Sequence, residues 1–109
     1  MTPARDAVYL LDVLEHLEKQ DEDLFLKNIA ASITSDGVCI VGIPSLESQE
    51  YASKPSRATH VNCKSGDDLK QFLEKYFKNV FLFGMNDEVV HTGFTKMSHY
   101  LLCLCVGVR

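Results

Sequence analysis

Two uninterrupted apolar runs, Ala7-Val8-Tyr9-Leu10-Leu11 and Val38-Cys39-Ile40-Val41-Gly42-Ile43, constrain this chain more than any other feature in it. A strand with one wet face alternates apolar and polar residues. A continuous run belongs to a strand covered on both faces, as in parallel-type sheets flanked by helices. Between the two runs, Leu26, Ile29, Ala30 and Ile33 recur at helical spacing. Asp21 is the expected N-cap of that helix, with Glu22 and Asp23 favourable to its dipole, and Thr34-Ser35-Asp36-Gly37 is the expected stop, with Gly37 suited to a left-handed cap. Strand, helix, strand is the repeating unit of an α/β sheet.

Pro44 closes the second strand, and residues 45–65 are polar and irregular. A connection of that length in a compact domain is usually a binding segment or lid; this one carries Tyr51, Arg57, His60 and Asn62. Ser65-Gly66-Asp67-Asp68 has the form of a helix cap, and Leu69, Phe72, Leu73 and Tyr76 form the apolar stripe of the helix that follows. Asn79 opens a third strand, Val80-Phe81-Leu82-Phe83; Gly84 to Lys96 reads as a second long loop with Asp87, Glu88, His91 and Phe94; a last strand runs from Ser98 to about Val106. No helix separates the last two strands, so that pair is expected to be antiparallel. The predicted fold is α/β, with three parallel-type strands, a terminal antiparallel strand and about two helices. At 109 residues it makes one domain, and no internal repeat is visible.

The charge balance is −4, which argues against a chain that holds nucleic acid by its overall field. The four cysteines, Cys39, Cys63, Cys103 and Cys105, contain no C-x-x-C pair; three lie in apolar runs and read as reduced core thiols of a reducing compartment. No cysteine stands beside a histidine and an orienting acid in a recognised nucleophile pattern. Met1 to Asp6 lacks the basic and apolar regions of a signal peptide, and Tyr100 to Val108 has only strand length, so a cytoplasmic location without membrane insertion is expected.

An apolar strand ending in Asp12-Val13-Leu14-Glu15-His16-Leu17 is similar to the fourth strand, and the turn after it, of class I S-adenosylmethionine (SAM)-dependent methyltransferases of the type 11/12 kind. The run after Ser35-Asp36-Gly37, ending in Ile43-Pro44, resembles that family's fifth strand, with Ser-Asp-Gly where a Pro-Gly-Gly-like turn is usual. Arg57-Ala58-Thr59-His60, the helix after it, Phe77-Lys78-Asn79-Val80 and a terminal strand pair complete the likeness over nearly the whole chain. The family's antiparallel last strand agrees with the chain-order argument. Its glycine-rich loop and the acid that would hold the ribose have no counterpart, and no G-x-G occurs. The resemblance therefore implies that residues 1–109 are the C-terminal portion of a Rossmann-like methyltransferase fold without the cofactor-gripping half.

Open α/β sheets bind ligands beyond the carboxyl ends of their strands, where Asp12, Glu15 and His16 lie. The resemblance implies that Asp12 and Leu14 line the SAM and methyl-transfer site, and that Arg57 and His60 form part of the substrate wall, where an arginine can hold a carboxylate or phosphate. For Glu15 and His16 three readings stand side by side. They are structural; or His16 is the general base that takes a proton from the acceptor, as a side chain titrating near neutrality can; or Asp12, Glu15, His16 and His60 bind a divalent ion. The last follows a Glu-x-x-Glu-His arrangement in some ubiquinone-pathway and small-RNA O-methyltransferases, of which Asp12 shortens the first member; no metal ligand is assigned from the sequence. His91 and His99 are expected to pack rather than react. A small-molecule acceptor is expected, the negative net charge arguing against nucleic acid as the partner. A non-catalytic dimerisation module is the rival function. Either way, Ala7 to Leu11 becomes an open sheet edge, and a homodimer through it is expected.

Overall fold

β1 (Arg5–Leu11) and β2 (Ile33–Pro44) pair in parallel, with Val8 against Cys39 and Leu10 against Val41. The computed structural model describes residues 5–109; the N-terminal reading drawn from Met1 to Ala4 lies outside the described residues. α1 (Lys19–Ala31) makes the crossover between these strands. On its other side β2 pairs antiparallel with β5 (Tyr100–Val108), and β5 pairs antiparallel with β3 (Phe77–Asn86). β3 therefore runs in the direction of β1 and β2, so the three parallel-type strands and the antiparallel last strand are as expected. The sheet order is β1-β2-β5-β3-β4, and β4 (Val89–His91) folds back on the end of β3. Two shorter elements complete the chain: α2 (Lys54–Thr59), which raises the helix number to three, and α3 (Gly66–Leu73).

Several boundaries differ from expectation for local reasons. α1 begins two residues before Asp21, with Glu18 as an N-cap whose side chain makes no capping bond; Asp21 and Glu22 occupy its first turn, where they favour the dipole. Its C-cap is Ser32, and Ile33, expected in the helix, already belongs to β2 and is buried. Gly37 lies inside that strand and does not take a left-handed conformation. A Cβ there would overlap Ile33 Cγ2 and press on the Thr34 carbonyl oxygen at 2.9 Å, so close approach, not a helix stop, requires glycine. The stretch from Gly84 to Lys96 is a hairpin followed by a 3₁₀ turn (Thr95–Met97), not an open loop.

The core lies on one face of the sheet. Leu10, Cys39, Val41, Ile43, Val80, Leu101, Cys103 and Cys105 meet Leu26 of α1 and Leu69, Phe72 and Leu73 of α3, with Phe77 fully enclosed. Each such aliphatic side chain contributes roughly 1.5 to 3 kcal/mol on burial. The α3 stripe is buried as its spacing predicts, and Ser65 Oγ accepts the Asp68 N–H at 3.3 Å, which is the cap read from the sequence. Burial pushes the Cys39 thiol up to about 11 and the Cys103 thiol up to about 12, in keeping with core thiols. No helix among the described residues is long and apolar enough to cross a membrane.

Candidate functional site

At the carboxyl end of β1 the chain leaves the sheet abruptly. Asp12 takes a left-handed conformation, φ 60°, which a short polar side chain tolerates better than most. Its N–H still donates to Gly42 O at 3.0 Å, and its carboxylate accepts the Tyr100 hydroxyl at 2.9 Å. A 3₁₀ turn, Leu14–His16, follows at once. Side chains in such a turn project about a third of a revolution apart. Leu14 goes into the core, Glu15 points inward beside it, and His16 stays at the surface.

Glu15 is 1% exposed, and neither carboxylate oxygen has a hydrogen-bond partner. Burial holds its carboxyl above the ordinary carboxylate range and the Asp12 charge adds to this, while its own backbone N–H, His16 and His60 pull the other way. Each histidine is oriented by a bond at Nδ1. That of His16 donates to the Thr59 carbonyl at 2.9 Å, and that of His60 donates to Gln49 Oε1 at 2.9 Å. An amide or carbonyl oxygen only accepts, so each bond needs its proton at Nδ1, and in the neutral form of either ring the Nε2 lone pair is free. His16 Nε2 lies 3.9 Å from Glu15 Oε2, and the two imidazole rings meet edge to face with centroids 4.9 Å apart. One donor atom from each of Glu15, His16 and His60 falls within 4.8 Å of the others.

Asn62 fixes the arm that carries His60. Its N–H donates to Glu15 O at 3.0 Å, and its side-chain amide donates to Glu22 Oε2 at 2.5 Å. Lys64 Nζ binds the same Glu22 oxygen at 3.1 Å and Asn62 Oδ1 at 3.4 Å. The arm is thereby tied both to the 3₁₀ turn of Glu15 and to α1. A buried carboxylate with unmet acceptor capacity, facing two oriented imidazoles, suits a divalent cation better than it suits packing. Two nitrogens and one oxygen favour Co²⁺ or Zn²⁺ over Mg²⁺, with the harder Mn²⁺ between them.

The residues singled out from the sequence divide here. Glu15 and His16 meet, and His60 joins them, as in the divalent-ion reading of these residues. Asp12 is adjacent, but one of its carboxylate oxygens is engaged by Tyr100. Leu14 is wholly buried, so its side chain faces the core and not a cofactor. Arg57 is exposed and donates from Nη2 to the Glu50 carbonyl, which closes the segment before α2 instead of reaching the cluster. His99, expected to pack, is exposed. Gln49, Thr59 and Asn62 hold the site and were not given roles from the sequence. Asn62 left a trace there as a polar residue in the long connection, and Thr59 as part of the Arg57-Ala58-Thr59-His60 segment.

No family model matches the sequence, and no curated protein matches it. Among solved structures, a crystal structure of the small RNA methyltransferase HEN1 is similar over 97% of this chain, with a TM-score of 0.70 and 15% identity. The chain spans 14% of the length of that protein. At this identity the likeness concerns the fold: five strands in a mixed sheet with three helices, in a methyltransferase-like arrangement.

Proposed function

We propose that this chain is the acceptor-side portion of a SAM-dependent methyltransferase and that Glu15, His16 and His60 hold a divalent cation beside the acceptor. One observation carries the reading: a buried carboxylate without partners faces two imidazoles whose Nδ1 atoms are already committed. The methyltransferase-like fold supports the activity class, and the position beyond the carboxyl end of β1 is where open α/β sheets act. When bound, such an ion supplies Lewis-acid stabilisation of an acceptor oxygen and lowers the pKa of a coordinated hydroxyl. The chain's own part is to present Glu15 away from water and to hold one donor atom from each of Glu15, His16 and His60 within 4.8 Å of the others. Asp12, in its left-handed turn, marks the neighbouring strand end toward which a methyl donor would lie. The residues present do not complete a SAM site, because the glycine-rich approach is absent from the sequence, so no step is drawn through that donor.

A second reading rests on the same geometry. Without a cation, the free Nε2 of His16 takes the acceptor proton, and Glu15, 3.9 Å away, stabilises the imidazolium. Titration calorimetry with MnCl₂ separates the two. Saturable binding that is lost in His60→Ala and in Glu15→Gln supports the cation. No binding in a folded sample overturns it and leaves His16 as a base. SAM titration of the same sample, confirmed by thermal shift, then reports whether these strand ends retain cofactor affinity.

A further inference from the structure

After β2 the chain runs outward through residues 46–61 and returns beside its point of departure. Ser45 and Lys64 pair there as an isolated parallel bridge, and the Leu46 N–H donates to Lys64 O at 3.0 Å. Ser48 braces the same neck, its hydroxyl donating to Ser45 O at 2.8 Å. Lys64 and Asn62 fix the returning limb to Glu22 and to the Glu15 turn. A segment with closed ends that bonds to itself is an Ω-loop. Within this one, Ser53 Oγ accepts the Ser56 N–H at 3.3 Å as the cap of α2, the Arg57 guanidinium donates to the Glu50 carbonyl, and His60 Nδ1 donates to Gln49 Oε1.

Burial does not hold this loop in place. None of residues 46–61 is buried, and the apolar Leu46, Tyr51 and Val61 are exposed. Beyond the neck, the hydrogen bond among the described residues that reaches the rest of the domain is that of His16 Nδ1 with Thr59 O. One bond at the surface holds a segment weakly, and such segments open while the rest of the fold stays closed. The same loop sets both imidazoles of the cation cluster, since Thr59 is the Nδ1 partner of His16 and Gln49 that of His60. Opening it takes Thr59 from His16 and moves Gln49, which orients the His60 ring. The grouping of Glu15, His16 and His60 donor atoms within 4.8 Å therefore belongs to the closed loop. Affinity that belongs to one of two conformations stabilises that conformation.

We propose that residues 46–61 are a strap fastened by the divalent cation: they open locally in its absence and stay closed on the Glu15 turn when Glu15, His16 and His60 share it. The fastening rests on the cation reading above; the local opening does not. Hydrogen exchange followed by mass spectrometry, in EDTA and in excess MnCl₂, tests both parts, with peptides over residues 52–61 reporting the loop and those of β2 and β5 the sheet. In EDTA the loop is expected to exchange at least about a hundredfold faster than the sheet, and MnCl₂ is expected to slow the loop at least about tenfold. Ser53→Ala, which removes the α2 cap and touches no ligand, is expected to exchange faster still in EDTA and to be slowed by MnCl₂ as wild type is. Glu15→Gln is expected to lose the response to MnCl₂. A loop as slow as the sheet in EDTA overturns the proposal. So does Mn²⁺ that binds by calorimetry and leaves loop exchange unchanged, a result that keeps the cation site and removes the strap. Absence of Mn²⁺ binding by calorimetry overturns the strap together with the cation reading.

Discussion

The two faces of this sheet are made of the same kind of residue and are treated differently by the fold. On one face, Leu10, Val41, Cys103 and Val80 lie beneath α1 and α3 and are closed from solvent. On the other, Tyr9, Ile40, Leu104 and Phe81 stand in register across four strands, and Tyr9, Ile40 and Phe81 are 73, 42 and 50% exposed. The continuous apolar runs are therefore written for a sheet with two covers, of which the described residues supply one. The covered side also holds the candidate site, since the Glu15 turn is wedged against the core by Leu14 and tied to α1 through Asn62 and Glu22. The core and the candidate site share a side, and the other face stays bare among the described residues.

The sharpest test of this contrast pairs two phenylalanines of one strand. Phe77 is fully enclosed on the covered side, and Phe77→Ala is expected to cost about 3 to 5 kcal/mol, most of the margin of a domain this small. Phe81 is on the bare face, and Phe81→Ala is expected to cost under about 1 kcal/mol. Urea denaturation at low protein concentration measures both. Equal losses would mean that the second face is covered in solution even at that dilution.

The same contrast explains what the sequence discloses. Strand cores are visible because burial on both faces leaves continuous apolar runs, and the Leu69 to Tyr76 stripe is visible because a helix buries every third or fourth residue. The end of β3 and all of β4 are hidden because their turn is Asp87-Glu88. Asp87 takes φ 51° without the glycine that would have announced a hairpin. Gly37 misleads because a glycine demanded by close approach looks the same in sequence as one demanded by a left-handed cap. In the site, Asp12, Glu15 and His16 are a local pattern. His60 and its holder Gln49 arrive from 44 and 33 positions beyond His16, at no spacing that marks a ligand set. What brings them in is the buried bonding of Asn62, which is tertiary and leaves no periodic signal.

Association tests the contrast from the other side. The three central rows of the bare face, from Ala7, Tyr9 and Leu11 across to Asn79, Phe81 and Phe83, carry no charged side chain. A second copy can meet this face without burying a charge, as in face-to-face sheet packing. Wild-type protein is expected to show a rising apparent mass with concentration in multi-angle light scattering. A variant carrying Ile40→Lys and Phe81→Lys is expected to remain monomeric at unchanged stability, within about 0.5 kcal/mol. A wild type that is monomeric at every concentration would remove association as the role of this face. A variant that still dimerises would move the contact to the open edge of β1.

Glu15 is a carboxylate on the covered side that burial works against, and its substitution gives the smallest and most diagnostic effect. Because its folded carboxyl titrates above the ordinary value, the folded chain binds more protons than the unfolded one in the window between the two. Stability without metal therefore falls as pH rises through that window and stays lower above it. Glu15→Gln cannot ionise, so it is expected to flatten this part of the profile and to melt above wild type at neutral pH in EDTA. Excess MnCl₂ should reverse the order, since a ligand that binds only the folded form stabilises wild type and the variant has lost a ligand. Melting curves across that pH range, with EDTA and with MnCl₂, decide it. A variant less stable in EDTA at every pH, with no response of wild type to Mn²⁺, would make Glu15 an ordinary structural residue and return the covered side to packing alone.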